Sequence, residues 1–221
     1  MNETKMDGIK SFNTNISAHK IMSMDEDKRN RVINAALEEF SKGFRKANTD
    51  TIVQNSAISK GLLFHYFGTK KELFLFLIRY CTDIISDEFN SVSFDSRDFL
   101  ENVWNMSLLS CELTVKYSLV YKFLVPAITS MKTEFPDESL SNYKNPVAEI
   151  LGNSFKIFDH SLFRDDVDIQ KACNVILWAI KGYSDSLMSY GNNLEDYTEH
   201  YETIKKELSE YMVLLRKAFY K

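Results

Sequence analysis

Between Lys28 and Lys71, three short helical patterns follow one another with only tight turns between them. No other stretch limits the fold as much. Ile33, Ala36, Leu37, Phe40 and Phe44 recur every three or four residues, which gives one apolar stripe. Asp25-Glu26-Asp27 precede it, where acids favour the positive end of a helix dipole. Gly43 can end the helix in the left-handed conformation. Asn48-Thr49-Asp50 supplies the next N-cap, and Thr51 to Asn55 leaves room for two turns. Ser56-Ala57-Ile58-Ser59 is the break, and Ser59 can cap a third helix beginning Lys60-Gly61-Leu62. Helix, tight turn, helix is the plan in which the second element enters the DNA major groove.

Charge sets this stretch apart. Lys28–Lys71 holds nine Lys/Arg against three Asp/Glu, a net of +6, whereas residues 72–221 carry −8 and the whole chain −4. A basic helical module on an acidic body suggests one part that meets a polyanion and one that does not.

The residues from Lys28 to Ile78 resemble the DNA-binding domain of the TetR family of transcriptional regulators. The likeness lies in Ile33-x-x-Ala36-Leu37-x-x-Phe40-x-x-x-Gly43-Phe44. It continues in Ile52 through Ile58-Ser59-Lys60-Gly61, then Leu63-Phe64-His65-Tyr66-Phe67 and Lys70-Lys71-Glu72-Leu73. Ala57 stands where the family usually has Gly, Leu62 where Thr is common and Phe64 where Tyr is common. The resemblance implies DNA contacts from Asn48, Thr49, Ser59, Lys60, Gly61, Leu62, His65, Tyr66 and Lys70. Physical chemistry agrees in part: lysines and helix N-termini suit phosphates, and exposed side chains on the third helix suit base edges. Lys60 and His65 should face outward there, with Leu63 and Phe67 inward. The alternative for Lys28, Arg29, Arg31, Lys42, Arg45 and Lys46 is a solvated face, which is the favoured reading for Lys42–Lys46.

The rest of the chain reads as all-α. Seven Gly and three Pro in 221 residues favour long helices over a turn-rich sheet. The expected division is an extension over 1–24 that is flexible or a frayed helix, a helix-turn-helix domain over 25–71, and a helical ligand-binding and dimerisation domain over 72–221. Helices are expected near 73–85, 99–117, 118–131 with Pro126 inside, 139–158 interrupted by Pro146, 165–190 and 194–220. The fourth should link the two domains. In the last two, Ile176, Ala179, Ile180, Tyr183, Leu187 and Tyr190 form one stripe, and Tyr201, Ile204, Leu208, Tyr211, Met212, Leu215 and Phe219 another. In the family the corresponding helices pair with those of a second subunit. The resemblance therefore implies a homodimer through Ile180, Tyr183, Leu187, Ile204, Leu208, Tyr211 and Leu215; ordinary core packing is the competing reading.

Family members also bind a small molecule among the body helices. The aromatic- and Met-rich middle of this chain makes Trp104, Tyr121, Phe155 and Trp178 the expected lining, with Glu112 and Lys116 as candidate polar partners. Aromatics at helical spacing also serve simply as core.

Catalytic and metal signatures are missing from the sequence. His19, His65, His160 and His200 are scattered, and there is no His-Glu-x-x-His, Cys-x-x-Cys, Gly-rich phosphate loop or Gly-x-Ser-x-Gly elbow. Cys81, Cys111 and Cys173 lie far apart without metal spacing and read as reduced core thiols. No cofactor is expected. No apolar run reaches the ~20 residues of a membrane span, and the N-terminus lacks a secretory apolar core, which points to a cytoplasmic protein. The expectation is a dimeric repressor that binds a near-palindromic operator and is released by an apolar or aromatic effector. The alternatives are a helical adaptor, or a helical enzyme without a local motif. Neither accounts for the basic module.

Overall fold

Turn chemistry sets the helix boundaries. A computed structural model describes residues 21, 23–138, 158–190 and 199–221. Helix α1 spans Glu26–Phe40, and the Asp25 carboxylate caps it by accepting from the Lys28 N–H at 3.1 Å. It stops a turn before the apolar stripe does. Gly43 takes φ +92°, and Phe44 returns from the turn to meet Phe74 edge-on at 5.2 Å. Helix α2 spans Thr49–Ser56 and α3 spans Lys60–Phe67. Ala57 joins them in the left-handed region, at φ 54° and ψ 45°. Val32, Ile33, Ala36, Leu37, Phe40, Ile52, Leu63 and Phe67 form the buried side of these three helices.

Helix α4 runs Lys70–Asn90. Its start is held by a capping box: the Thr69 N–H donates to Glu72 Oε2 at 2.7 Å, and the Glu72 N–H donates to Thr69 Oγ1 at 3.1 Å. Helices α5 (Phe99–Lys116) and α6 (Ser118–Glu134, with Pro126 inside) follow. After a single 3₁₀ turn at His160–Leu162 come α7 (Ile169–Tyr190) and α8 (Tyr201–Phe219). The expected helix over 139–158 lies outside the described residues except for Phe158, which is not helical.

The chain divides into two compact units. One holds α1 to α3, α4 as far as Glu88, and α6 from Leu119; the other holds Phe89–Ser118 and the described chain from Phe158 onward. These units cut the chain elsewhere than the 71/72 boundary read from sequence, because α4 and α6 pack with the helix-turn-helix. In the first unit, the Phe44 N–H donates to Ser130 Oγ at 3.3 Å and Arg45 pairs with Glu134 at 2.6 Å. Lys71 pairs with Glu138 at 2.8 Å, and the Phe44 and Phe135 rings meet edge-on at 4.7 Å.

Two sequence expectations need correction here. Ile21 and Met24, assigned to the extension, are 1% and 4% exposed and belong to the core. Arg29, for which a solvated face is the alternative reading, is buried and donates to the Met24 carbonyl at 3.4 Å. Ile21 and Met24 therefore pack into the same unit as α1.

The second unit closes on its own C-terminus. The Tyr220 hydroxyl accepts from the Leu100 N–H and donates to Asp98, the N-cap of α5, which Arg216 also pairs with at 2.5 Å. Phe163 forms an antiparallel bridge with Tyr220, and Phe99, Phe158, Phe163, Cys173, Ile176 and Leu215 fill the core beside it.

Candidate nucleic-acid interface

The residues expected to meet DNA fall at the N-termini of α2 and α3 and along the outer face of α3. Asn48 caps α2, its side-chain oxygen accepting from the Asp50 N–H at 2.9 Å. Ser59 caps α3 in the same way, accepting from the Leu62 N–H at 3.2 Å. Asn48, Ser59, Lys60, Gly61 and His65 are exposed, Thr49, Leu62 and Tyr66 are half-buried, and Leu63 and Phe67 point inward at 0% and 4% exposure. A Cβ placed on Gly61 would meet nothing within 4 Å. The fold makes no use of its missing side chain, so the opening it leaves faces outward.

Part of the positive charge of the module is paired. Lys60 Nζ lies 2.7 Å from Asp50 Oδ1, which links the first turns of α3 and α2. Lys42 and Arg45, both read as solvated, are exposed but bind Glu39 and Glu134. Arg31 donates to the Ser56 carbonyl at the end of α2, 3.4 Å away.

Glu39 braces the site from below. It is 5% exposed, and its Oε1 accepts from the Asn48 N–H at 3.0 Å while Oε2 binds Lys42. Burial pushes this carboxyl up, but the donors from Lys42 and Asn48 outweigh it and hold the carboxyl below its usual range. Lys70 is half-buried and sits 4.8 Å from the centre of the Phe44 ring. Burial lowers its affinity for a proton, partly countered by Glu39. The N-terminus of α4 offers an anion less than the sequence suggested, because the capping box already uses the Thr69 and Glu72 N–H groups.

Sequence reasoning missed Glu39, Asp50 and the capping box. Thr69-x-x-Glu72 was a legible signal for the last of these. Glu39 with Asn48, and Asp50 with Lys60, become neighbours only after folding.

Elsewhere the expected residues scatter. Trp104 on α5 and Tyr121 on α6 are half-buried and belong to different units, while Phe155 lies outside the described residues. Trp178 stands 68% exposed on α7, which corrects its assignment to an interior pocket of one chain. Glu112 and Lys116 are exposed. Of the expected dimer residues, Ile204, Leu208 and Leu215 are already buried within the second unit, so their contacts here are core contacts. Ile180, Tyr183 and Leu187 are half-buried, and Tyr211 is 45% exposed. Among the described residues of α7 and α8, Val175, Val213 and Leu214 are exposed large apolar side chains beside Tyr211 and Trp178. The side chain of Tyr190 is outside the described set. None of the three cysteines is in a disulfide and all are buried; burial pushes the Cys81 thiol far up and that of Cys173 to about 11, which disfavours thiolate chemistry at both.

Residues 32–77 match the family model described as bacterial regulatory proteins, tetR family. The whole chain also resembles solved structures at low identity. One is a TetR family transcriptional regulator from Chloroflexus aurantiacus J-10-FL, with TM-score 0.61 and 15% identity, covering 92% of this chain and 98% of that one. Another is a protein described as the molecular basis for control of antibiotic production by bacterial hormones, with TM-score 0.57, 16% identity and 90% and 100% coverage. A third, a tetR family regulator from Shewanella sp. PV-4, has TM-score 0.51, 15% identity and 89% and 100% coverage. Among the described residues the chain is all-helical, with an N-terminal helix-turn-helix and a larger helical C-terminal region. Residues 32–77 are thus similar to the DNA-binding domain of the tetR family, and the rest of the chain shares the fold of the solved regulators. Among the described residues, no helix is long and apolar enough to cross a membrane.

Proposed function

We propose that this protein is a dimeric repressor whose two helix-turn-helix heads bind successive major grooves of a near-palindromic operator, and that a small apolar or aromatic effector releases it. The observation that carries the DNA-binding part is the outward face at the start of α2 and α3. It combines capped helix N-termini, a lysine, an imidazole and an open glycine in a segment of net charge +6. Phosphate contacts by such a face supply affinity, and α3 side chains supply sequence preference. Asn48, Thr49, Ser59, Lys60, Gly61, Leu62, His65, Tyr66 and Lys70 are the proposed contacts.

The dimer reading draws on α7 and α8. Trp178, Val175, Tyr211, Val213 and Leu214 are apolar and exposed in the single chain, and a second copy would cover them. Ile180, Tyr183 and Leu187 would extend that surface, whereas Ile204, Leu208 and Leu215 would support it from within. Trp104, Tyr121 and Phe155 remain the proposed effector contacts. An effector acts only by preferring the state that does not bind DNA. Acting on DNA places the protein in the cytoplasm.

Fluorescence anisotropy with a random duplex and with genomic fragments tests the reading. Binding should tighten on fragments that carry a near-palindrome and should weaken steeply with salt. A protein that binds neither, in low salt and at micromolar concentration, is not a DNA-binding regulator.

A further inference from the structure

Lys60 occupies the first turn of α3, where the helix dipole disfavours a cation. Asp50 occupies the first turn of α2, where the dipole favours an acid. The two meet at 2.7 Å with side chains 55% and 66% exposed, in the midst of the face formed by Asn48, Ser59 and Gly61. Asp50 thus supplies the counter-charge that the helix withholds from Lys60. It is also a negative charge where a polyanion must approach.

An arriving duplex has two ways to deal with this pair. Lys60 can leave Asp50 for a phosphate, which strands a carboxylate against the DNA backbone. Otherwise the pair stays closed and the interface loses a phosphate contact. Either course penalises binding that depends on phosphates alone. A matching base pair can offset the penalty, because a carboxylate accepts from the amine of cytosine and a lysine donates to guanine O6 and N7. We infer that Asp50 is a specificity-determining residue. It holds Lys60 in place and suppresses sequence-independent binding. The inference rests on the DNA-binding reading above and adds to it the source of discrimination.

The test compares wild type, Asp50→Asn, Asp50→Glu, Lys60→Ala and the double variant Asp50→Asn/Lys60→Ala. The probes are a random duplex and a duplex that the wild type enriches from a randomised pool. Asp50→Asn should tighten random-duplex binding about fivefold, the range of a broken exposed pair. It should steepen the salt dependence by roughly one unit as Lys60 becomes free to meet a phosphate. Affinity for the enriched duplex should rise less, so discrimination falls. Asp50→Glu should keep discrimination, and in the Lys60→Ala background the gain from Asp50→Asn should shrink. A melting scan of each variant separates these effects from loss of fold. Unchanged random-duplex affinity and salt slope in a folded Asp50→Asn overturn the inference, as does equal weakening on both probes. A wild type that binds no duplex overturns the DNA-binding reading itself; a wild type that binds with an indifferent Asp50→Asn overturns only this inference.

Discussion

The helix-turn-helix and the C-terminal helix pair finish their surfaces in opposite ways. Across α1 to α3 the large apolar side chains of the inner face are buried, and what projects outward is polar or charged. Along α7 and α8 an inner face is also buried, through Ile176, Ile204, Leu208 and Leu215, yet Val175, Trp178, Tyr211, Val213 and Leu214 are left exposed. The head has spent its apolar residues on its own fold and shows charge to a partner that carries phosphate. The helix pair carries more apolar surface than its own unit uses. An outward indole at 68% exposure costs solubility unless something covers it.

The largest expected effect tests that contrast directly. Leu208→Glu puts a charge where the leucine is 2% exposed and should unfold the second unit, at a cost above about 3 kcal/mol. Trp178→Glu and Leu214→Glu alter only exposed positions. They should stay folded, with melting temperatures close to wild type, but sediment as monomers where the wild type is a dimer. A monomeric wild type, or a folded dimer in all three variants, breaks the contrast.

Much of the head could be read before the structure, and the reason is local. Ser59 and Asn48 cap, Gly43 turns and Leu63 and Phe67 point inward because each effect acts within four residues. Periodicity failed where two faces of one helix were both apolar. It marked Leu208 and Tyr211 alike, although one is core and the other outside. It could not place Trp178, since an aromatic at helical spacing looks the same in a pocket, a core or an outer surface. Arg29 could be read as solvated because nothing in the sequence says that it is buried and donates to the Met24 carbonyl. Asp50 with Lys60 and Glu39 with Asn48 lie nine or ten positions apart, beyond one helix, and needed the turn geometry to meet.

Next in size is Gly68→Ala. Gly68 has φ 75° and ψ −112°, a backbone that side chains rarely adopt, and an added Cβ would lie 2.2 Å from Glu72 Oε2. Backbone strain of about 1–3 kcal/mol adds to loss of the capping box. The melting temperature should fall by several degrees, and Gly68→Ala/Glu72→Ala should show no further clash penalty. An unchanged melt would mean that the turn into α4 is looser than its geometry implies.

A smaller effect follows from Glu39. Its folded carboxyl lies below the ordinary 4.5, so the head gains stability that is fully present above that value and is lost as pH falls through the lower folded one. Glu39→Gln should lower stability at pH 7 and flatten the acid limb of a stability–pH curve. An acid limb identical to wild type would show that other carboxylates govern it.

The smallest effects come from two residues of the turn region, each changed into the other's type. Ala57 pays for a left-handed backbone that costs an alanine about 1–2 kcal/mol. A glycine there escapes that strain but loses about 0.4–1 kcal/mol through the freer unfolded chain. Ala57 is exposed, so its methyl contributes little packing. Ala57→Gly should therefore stabilise by about 0.5 kcal/mol, a shift of one or two degrees, and leave DNA binding alone. Gly61→Ala starts from the reverse situation, with an ordinary helical backbone and open space around the position. It should stabilise the fold by about 0.5–1 kcal/mol and yet weaken DNA binding, because the new methyl occupies room that only an outside partner uses. Calorimetry and anisotropy on the two variants separate a residue set by the fold from one set by function. If Gly61→Ala stabilises and binds DNA as well as wild type, no duplex comes close to the start of α3, and the proposed face must be moved.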